Sequence, residues 1–144
     1  MMTVDELMSR KLVTLPEDAD LQRIDDLLKL HHIRHLPIVR GQRLVGLVTH
    51  RDLLRAQARV RDGQGVCASE VMTREVDTIS PDTSVRIAIH KLLDDKVGCL
   101  PVVDAAGRLV GIFTESDAVR FAGRLLGERE QTEVWGGDGG VDAR

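Results

Sequence analysis

This sequence of 144 residues is poor in several things that common functions need. Aromatic residues make up 2% of it: Phe113, Phe121 and Trp135 are the only large rings, and tyrosine is absent. Proteins that stack single-stranded nucleic acid need more rings than that. A basic excess is missing as well, the formal net charge being -3, whereas nucleic-acid binders usually carry a basic face. Nucleic acid is therefore not an expected partner. No apolar run approaches the roughly 18 to 20 residues of a membrane span. The first residues, MMTVDELMSRK, lack a signal peptide's apolar stretch. The two cysteines, Cys67 and Cys99, form no C-x-x-C pair, which argues against both a disulfide framework and a zinc knuckle. A reduced, cytoplasmic location without membrane contact is the expectation. Catalytic signatures are missing too: there is no G-x-S-x-G, no Walker loop and no H-E-x-x-H. We expect no enzyme, no required cofactor and no metal.

What the chain does contain is one unit written twice. An offset of 64 residues aligns ELMSR (Glu6 to Arg10) with EVMTR (Glu70 to Arg74), and LPIV (Leu36 to Val39) with LPVV (Leu100 to Val103). One extra residue then enters the second copy in DAAGR, against RGQR in the first. At offset 65, RLVGLVTHRDLLR (Arg43 to Arg55) meets RLVGIFTESDAVR (Arg108 to Arg120), with seven of thirteen positions identical. Such self-similarity marks a duplication.

Each copy opens with a short helix-like piece (Val4 to Met8; Cys67 to Met72) and an extended piece ending at Leu15 or Ile79. A helix follows, with Asp20 or Ser84 as N-cap and apolar residues at Leu21, Ile24, Leu28 or Val85, Ala88, Leu92. Two strands joined by a turn at Gly41 or Gly107 come next, and a last helix begins near Arg51 or Ser116. The order is β-α-β-β-α, twice, an α/β (α+β) fold. Boundaries are placed at 3–60 for the first repeat, 61–66 for a glycine-rich linker, 67–126 for the second repeat and 127–144 for a mobile tail carrying Trp135.

The frame G-h-h-T-x-x-D occurs at Gly46 to Asp52 and again at Gly111 to Asp117. A threonine at a strand-to-helix junction puts a hydroxyl beside free backbone N–H groups, where ribose or phosphate oxygens fit. The aspartate, an acceptor when ionised, suits the hydroxyls of a ribose. The glycines would keep the strand slim for a close ligand. The same Thr-x-x-Asp is also a capping box that needs no ligand. Both readings stand, and the two are compatible.

With h-x-x-L-P-V before the hairpin and G-h-h-T-x-x-D after it, twice over, the sequence resembles a tandem pair of CBS domains, a Bateman module. The resemblance covers about residues 3 to 123. It implies two sheets packed with pseudo-two-fold symmetry, homodimerisation, and clefts between the copies that hold an adenosine-containing ligand. Each cleft would take Thr and Asp from one copy and further contacts from the other. The primary cleft would comprise Leu12, Val13, Arg34, His35, Pro37, Ile112, Thr114 and Asp117. A second, weaker cleft would comprise Val76, Asp77, Gly98, Cys99, Pro101, Leu47, Thr49 and Asp52. The preference rests on charge: Arg34 and His35 could meet a phosphate, whereas Asp77 would repel one. The implied function is a regulatory sensor of AMP, ADP, ATP or a similar adenosyl compound, signalling through a dimer to a partner protein. The alternative is a constitutive scaffold without a ligand. His31 and His35, four residues apart, are read as no metal pair, because the helix should end near His32. Cys99 is read as a packing residue.

Overall fold

Asp20 and Ser84 start the two long helices by the capping chemistry that their positions suggest. Asp20 accepts a hydrogen bond from the Arg23 N–H at 2.9 Å, and Ser84 Oγ accepts one from the Ile87 N–H at 3.1 Å. The computed structural model describes residues 1–59 and 65–132, the last five by backbone alone. Within these, the first repeat comprises β1 (Leu15–Pro16), α1 (Leu21–His31), β2 (His35–Arg40), β3 (Arg43–Thr49) and α2 (His50–Arg59). A short α3 (Ala68–Val71) opens the second, followed by α4 (Val85–Asp94), β4 (Cys99–Val103), β5 (Leu109–Thr114) and α5 (Glu115–Thr132). The counterpart of α3 in the first repeat is a single 3₁₀ turn, Val4–Glu6.

In the first repeat β1 runs parallel to β2, and β2 pairs antiparallel with β3. The second repeat keeps the antiparallel β4–β5 pair, while the equivalent of β1 shrinks to one parallel bridge, Ile79 to Val102. Both hairpins carry a register shift at the same place, between Ile38 and Val39 and between Val102 and Val103. Gly41 and Gly107 turn the hairpins at φ 65° and 83°, where a side chain would be strained. The extra residue of the second hairpin is absorbed by Asp104, whose carboxylate accepts from the Ala106 and Arg108 N–H groups, each at 2.9 Å.

The two repeats exchange their opening segments. Val4 N–H donates to Thr83 O at 2.8 Å, and Ser9 and Ile112 trade backbone bonds at 2.9 and 3.0 Å, so the first arm lies on the second repeat. Ala68 N–H donates to Ala19 O at 2.8 Å, and Leu47 and Thr73 trade bonds at 3.0 and 2.9 Å, so the second arm lies on the first. The cores follow the exchange. Ala68 and Met72 join the core built on Ile24, Leu36, Ile38 and Val48. Val4 and Met8 join the one built on Ala88, Leu100, Val102 and Phe113.

Helix α5 continues to Thr132, six residues into the segment 127–144 assigned to the tail. Gly127 is the one weak helix former there, and the Leu, Arg, Glu and Gln residues around it favour the helix. The rest of the tail with Trp135, and residues 60–64 of the linker region, lie outside the described residues.

Candidate functional site at the seam between repeats

The two Thr-x-x-Asp frames stand where β3 meets α2 and where β5 meets α5. In both, the threonine is the N-cap and the aspartate the third helical residue, bonded reciprocally. Thr49 N–H donates to Asp52 Oδ2 at 2.9 Å, and Asp52 N–H donates to Thr49 Oγ1 at 3.1 Å. The corresponding bonds of Thr114 and Asp117 measure 2.8 and 3.3 Å, and Thr114 Oγ1 also donates to Asp117 Oδ2 at 3.2 Å. The capping reading therefore holds in both copies. Their surroundings differ: Asp52 is half-buried, whereas Asp117 is 4% exposed and its Oδ1 accepts from Arg120 Nη2.

Arg34 and His35 precede Pro37 at the start of β2, and Gly98 and Cys99 hold the same places before Pro101 at the start of β4. The two strand ends meet. A Cβ on Gly98 would stand 2.8 Å from His35 Nε2 and 3.3 Å from Glu115 Oε1. Only a glycine lets the imidazole of the first repeat seat against the second. Burial lowers the His35 pKa and Arg34 adds to the effect, while Glu115 opposes it. The shift favours the neutral imidazole, a hydrogen-bonding group. Arg34 is exposed and makes no ion pair among the described residues.

The remaining candidate residues fall into three groups. Pro37 and Pro101 are fully buried in mid-strand, opposite Leu47 and Ile112, so they shape the sheets. Leu12, Val13, Val76 and Ile112 are half-buried, Val13 packing on the first core and Ile112 pairing with Ser9. Cys99 lies opposite Thr114 of its own repeat, with its thiol close enough to feel Asp117, although the resemblance assigned it to the Asp52 cleft. Burial first and Asp117 second push that thiol up to about 12, which leaves it protonated and unreactive.

Two sequence arguments need correction. Gly46 and Gly111 do not keep the strand slim for a ligand: a Cβ there would collide with Met72 or Met8 of the exchanged arm. And Asp77 is not an unmatched negative charge. Lys91 Nζ lies 3.2 Å from both its carboxylate oxygens, and a hydrogen bond with Asp95 together with Lys91 lowers the Asp77 pKa. The charge contrast between the clefts is smaller than the motif positions alone imply.

Glu115, Arg120 and Lys91 escaped the motif reading. Glu115 and Arg120 were within reach of it, one directly after the threonine and the other three residues after the aspartate. His31 ends α1 and His35 begins β2, so they share no helix face. No group of three metal-ligating side chains occurs among the described residues. No helix among them is long and apolar enough to cross a membrane.

The model of the CBS domain matches twice, over residues 4–59 and 68–124. The chain belongs to the CBS-domain family. As a CBS pair it is similar to the CBS domain-containing protein YhcV of Bacillus subtilis, 33% identical over 81% of this chain and 83% of YhcV. Its fold matches AcuB from Vibrio cholerae with a TM-score of 0.83 and 36% identity, covering 93% of this chain and 99% of that one. The CBS pair of protein MJ0100, solved with 5′-methylthioadenosine and S-adenosyl-L-methionine, matches at TM-score 0.78 and 31% identity over 87% and 98% of the chains. CBSX2, a CBS-pair protein from Arabidopsis thaliana solved with AMP, matches at 0.78 and 28% identity over 88% and 99%. Other curated relatives are much longer. The chain spans 23% of the homoserine O-acetyltransferase of Methanocorpusculum labreanum and 22% of the inosine-5′-monophosphate dehydrogenase of Thermoplasma acidophilum.

Proposed function

We propose that this CBS pair is a regulatory module that binds an adenosine-containing ligand between its repeats and passes its occupancy to a partner protein. The observation that carries this reading is the seam. His35 of the first repeat rests on Gly98 and beside Glu115 of the second, directly next to the Thr114–Asp117 frame. A ligand held by Thr114 and Asp117 would meet Arg34 and His35 across the seam, so binding would couple the repeats. The adenosyl ligands of MJ0100 and CBSX2 support the chemical class. We take the Asp117 cleft as the primary one because the family resemblance assigns Arg34, an exposed cation, to it, and the Asp52 cleft as the weaker. A ligand shifts the arrangement of the repeats by its difference in affinity for two states. Leu30, Leu54, Ile87, Leu93 and Val119, exposed on four helices, support pairing with a second copy as the route of output.

Thermal unfolding with AMP, ADP, ATP and S-adenosylmethionine tests the reading. A ligand at a hundred times its Kd adds about 2.7 kcal/mol of stability, a rise of several degrees in Tm. The expected result is such a rise with at least one compound. A second reading, a constitutive scaffold, draws on the Thr–Asp frames being satisfied by their own capping bonds, and no shift with any compound would favour it.

A further inference from the structure

The two repeats carry the same longer frame, T-x-x-D-x-x-R, with Arg55 three residues after Asp52 and Arg120 three residues after Asp117. Only one of these arginines is engaged. Arg120 Nη2 donates to Asp117 Oδ1, whereas Arg55 makes no ion pair among the described residues. The Arg120 side chain is 69% exposed and the Asp117 side chain 4%, so a solvated surface group lies against a carboxylate that is itself almost fully buried.

A carboxylate offers about four lone-pair sites. On Asp117 three are filled: Thr114 N–H and Thr114 O–H take Oδ2, and Arg120 takes Oδ1. On Asp52 the Thr49 N–H takes one, and no other donor reaches the side chain among the described residues. A ribose with two free hydroxyls needs two acceptor sites. Asp52 has room for both, and Asp117 has room for one. Of the three donors on Asp117, the backbone N–H is fixed by the start of α5. Arg120, long and solvated, is the one that can leave at least cost.

We propose that Arg120 is a latch on the Asp117 cleft, which a ribose must displace to engage the carboxylate with both hydroxyls; this rests on the nucleotide-cleft reading above. The latch therefore penalises ligands with an intact 2′,3′-diol and spares those with a single hydroxyl, which the one vacant site serves without moving Arg120, so it narrows the preference for a diol that the bare carboxylate would show. It also weakens binding to a cleft that is better equipped in charge, which sets the concentration at which the module responds.

The test is calorimetric titration of AMP and of 2′-deoxy-AMP into the full-length wild type, R120Q, R120A and R55Q. R120Q keeps a polar side chain at an exposed position, which guards against loss of folding. Freeing one charge-assisted hydrogen bond is expected to tighten AMP binding about tenfold in R120Q and R120A. The same change should leave 2′-deoxy-AMP within about twofold, and R55Q should match wild type for both, since an exposed arginine without a partner contributes little. Tighter AMP binding that disappears without the 2′-hydroxyl supports the latch, most strongly if R120Q binds AMP where wild type does not. Wild-type binding that R120Q leaves equal or weaker overturns the latch but preserves the nucleotide cleft. No binding of AMP by any of the four proteins overturns the cleft reading and the latch with it.

Discussion

Deleting residues 1–9 is expected to cost the second repeat most of its stability and the first repeat much less. Val4 and Met8 belong to the second core although the chain joins them to the first repeat. Val4 is 0% exposed and Met8 7%, both packed with Ala88, Leu100 and Phe113. Burial of each such side chain is worth about 1.5–3 kcal/mol, or roughly 3–6 kcal/mol for the pair. The backbone bonds to Thr83, Pro81 and Ile112 go with them, and Gly111 is left facing a void. Against a typical total of about 5–15 kcal/mol, the loss is large. Thermal unfolding of the truncated chain should show Tm lowered by roughly 10 °C or more. Amide exchange should accelerate first at Leu100 and Val102, before Leu36 and Ile38. A truncated chain that unfolds near the wild-type temperature would mean that the exchanged arm adds little to the packing.

The second large effect concerns ligand. Asp117→Ala is expected to raise the Kd for AMP about a hundredfold, while Asp52→Ala changes it by less than about threefold. The asymmetry follows from what each aspartate faces. Hydrogen bonds to a charged group are worth about 1.5–3 kcal/mol each, and a ribose diol makes two with the carboxylate, so their loss is at least about 3 kcal/mol, a hundredfold or more in Kd. Asp117 also caps α5 through Thr114 N–H, and losing that bond costs about 1 kcal/mol of helix stability. Titration must therefore be run below the unfolding transition of the variant. Calorimetry of both variants separates the clefts, and a larger effect from Asp52→Ala would reverse the assignment of the primary one.

Much of this molecule was legible in its sequence, for a physical reason. A duplicated chain reports every element twice, so the caps at Asp20 and Ser84, the turns at Gly41 and Gly107 and the frames ending in Asp52 and Asp117 confirm one another. The caps and turns, which a few neighbouring residues decide, were read correctly at these positions. The exchange of arms was not legible, because the periodicity of Val4 to Met8 says that a face is buried but not against which repeat. The two glycines illustrate the same limit. Gly46 and Gly111 mark a close approach, yet sequence cannot distinguish a methionine from a ligand as the thing approaching. Asp77 was misjudged for a related reason, since its partner Lys91 lies fourteen residues away on another element. The states of His35 and Cys99 depend on burial at the seam, which no local pattern encodes.

The central claim is that one adenosyl ligand is held by both repeats at once. Hydrogen–deuterium exchange with and without saturating AMP tests it most directly, reading peptides that cover 12–14 and 33–36 in the first repeat and 114–118 in the second. A bridging ligand predicts slower exchange in all three segments, and loss of the whole pattern together in Asp117→Ala. Protection confined to one repeat, or none at a concentration that saturates binding, would contradict the claim.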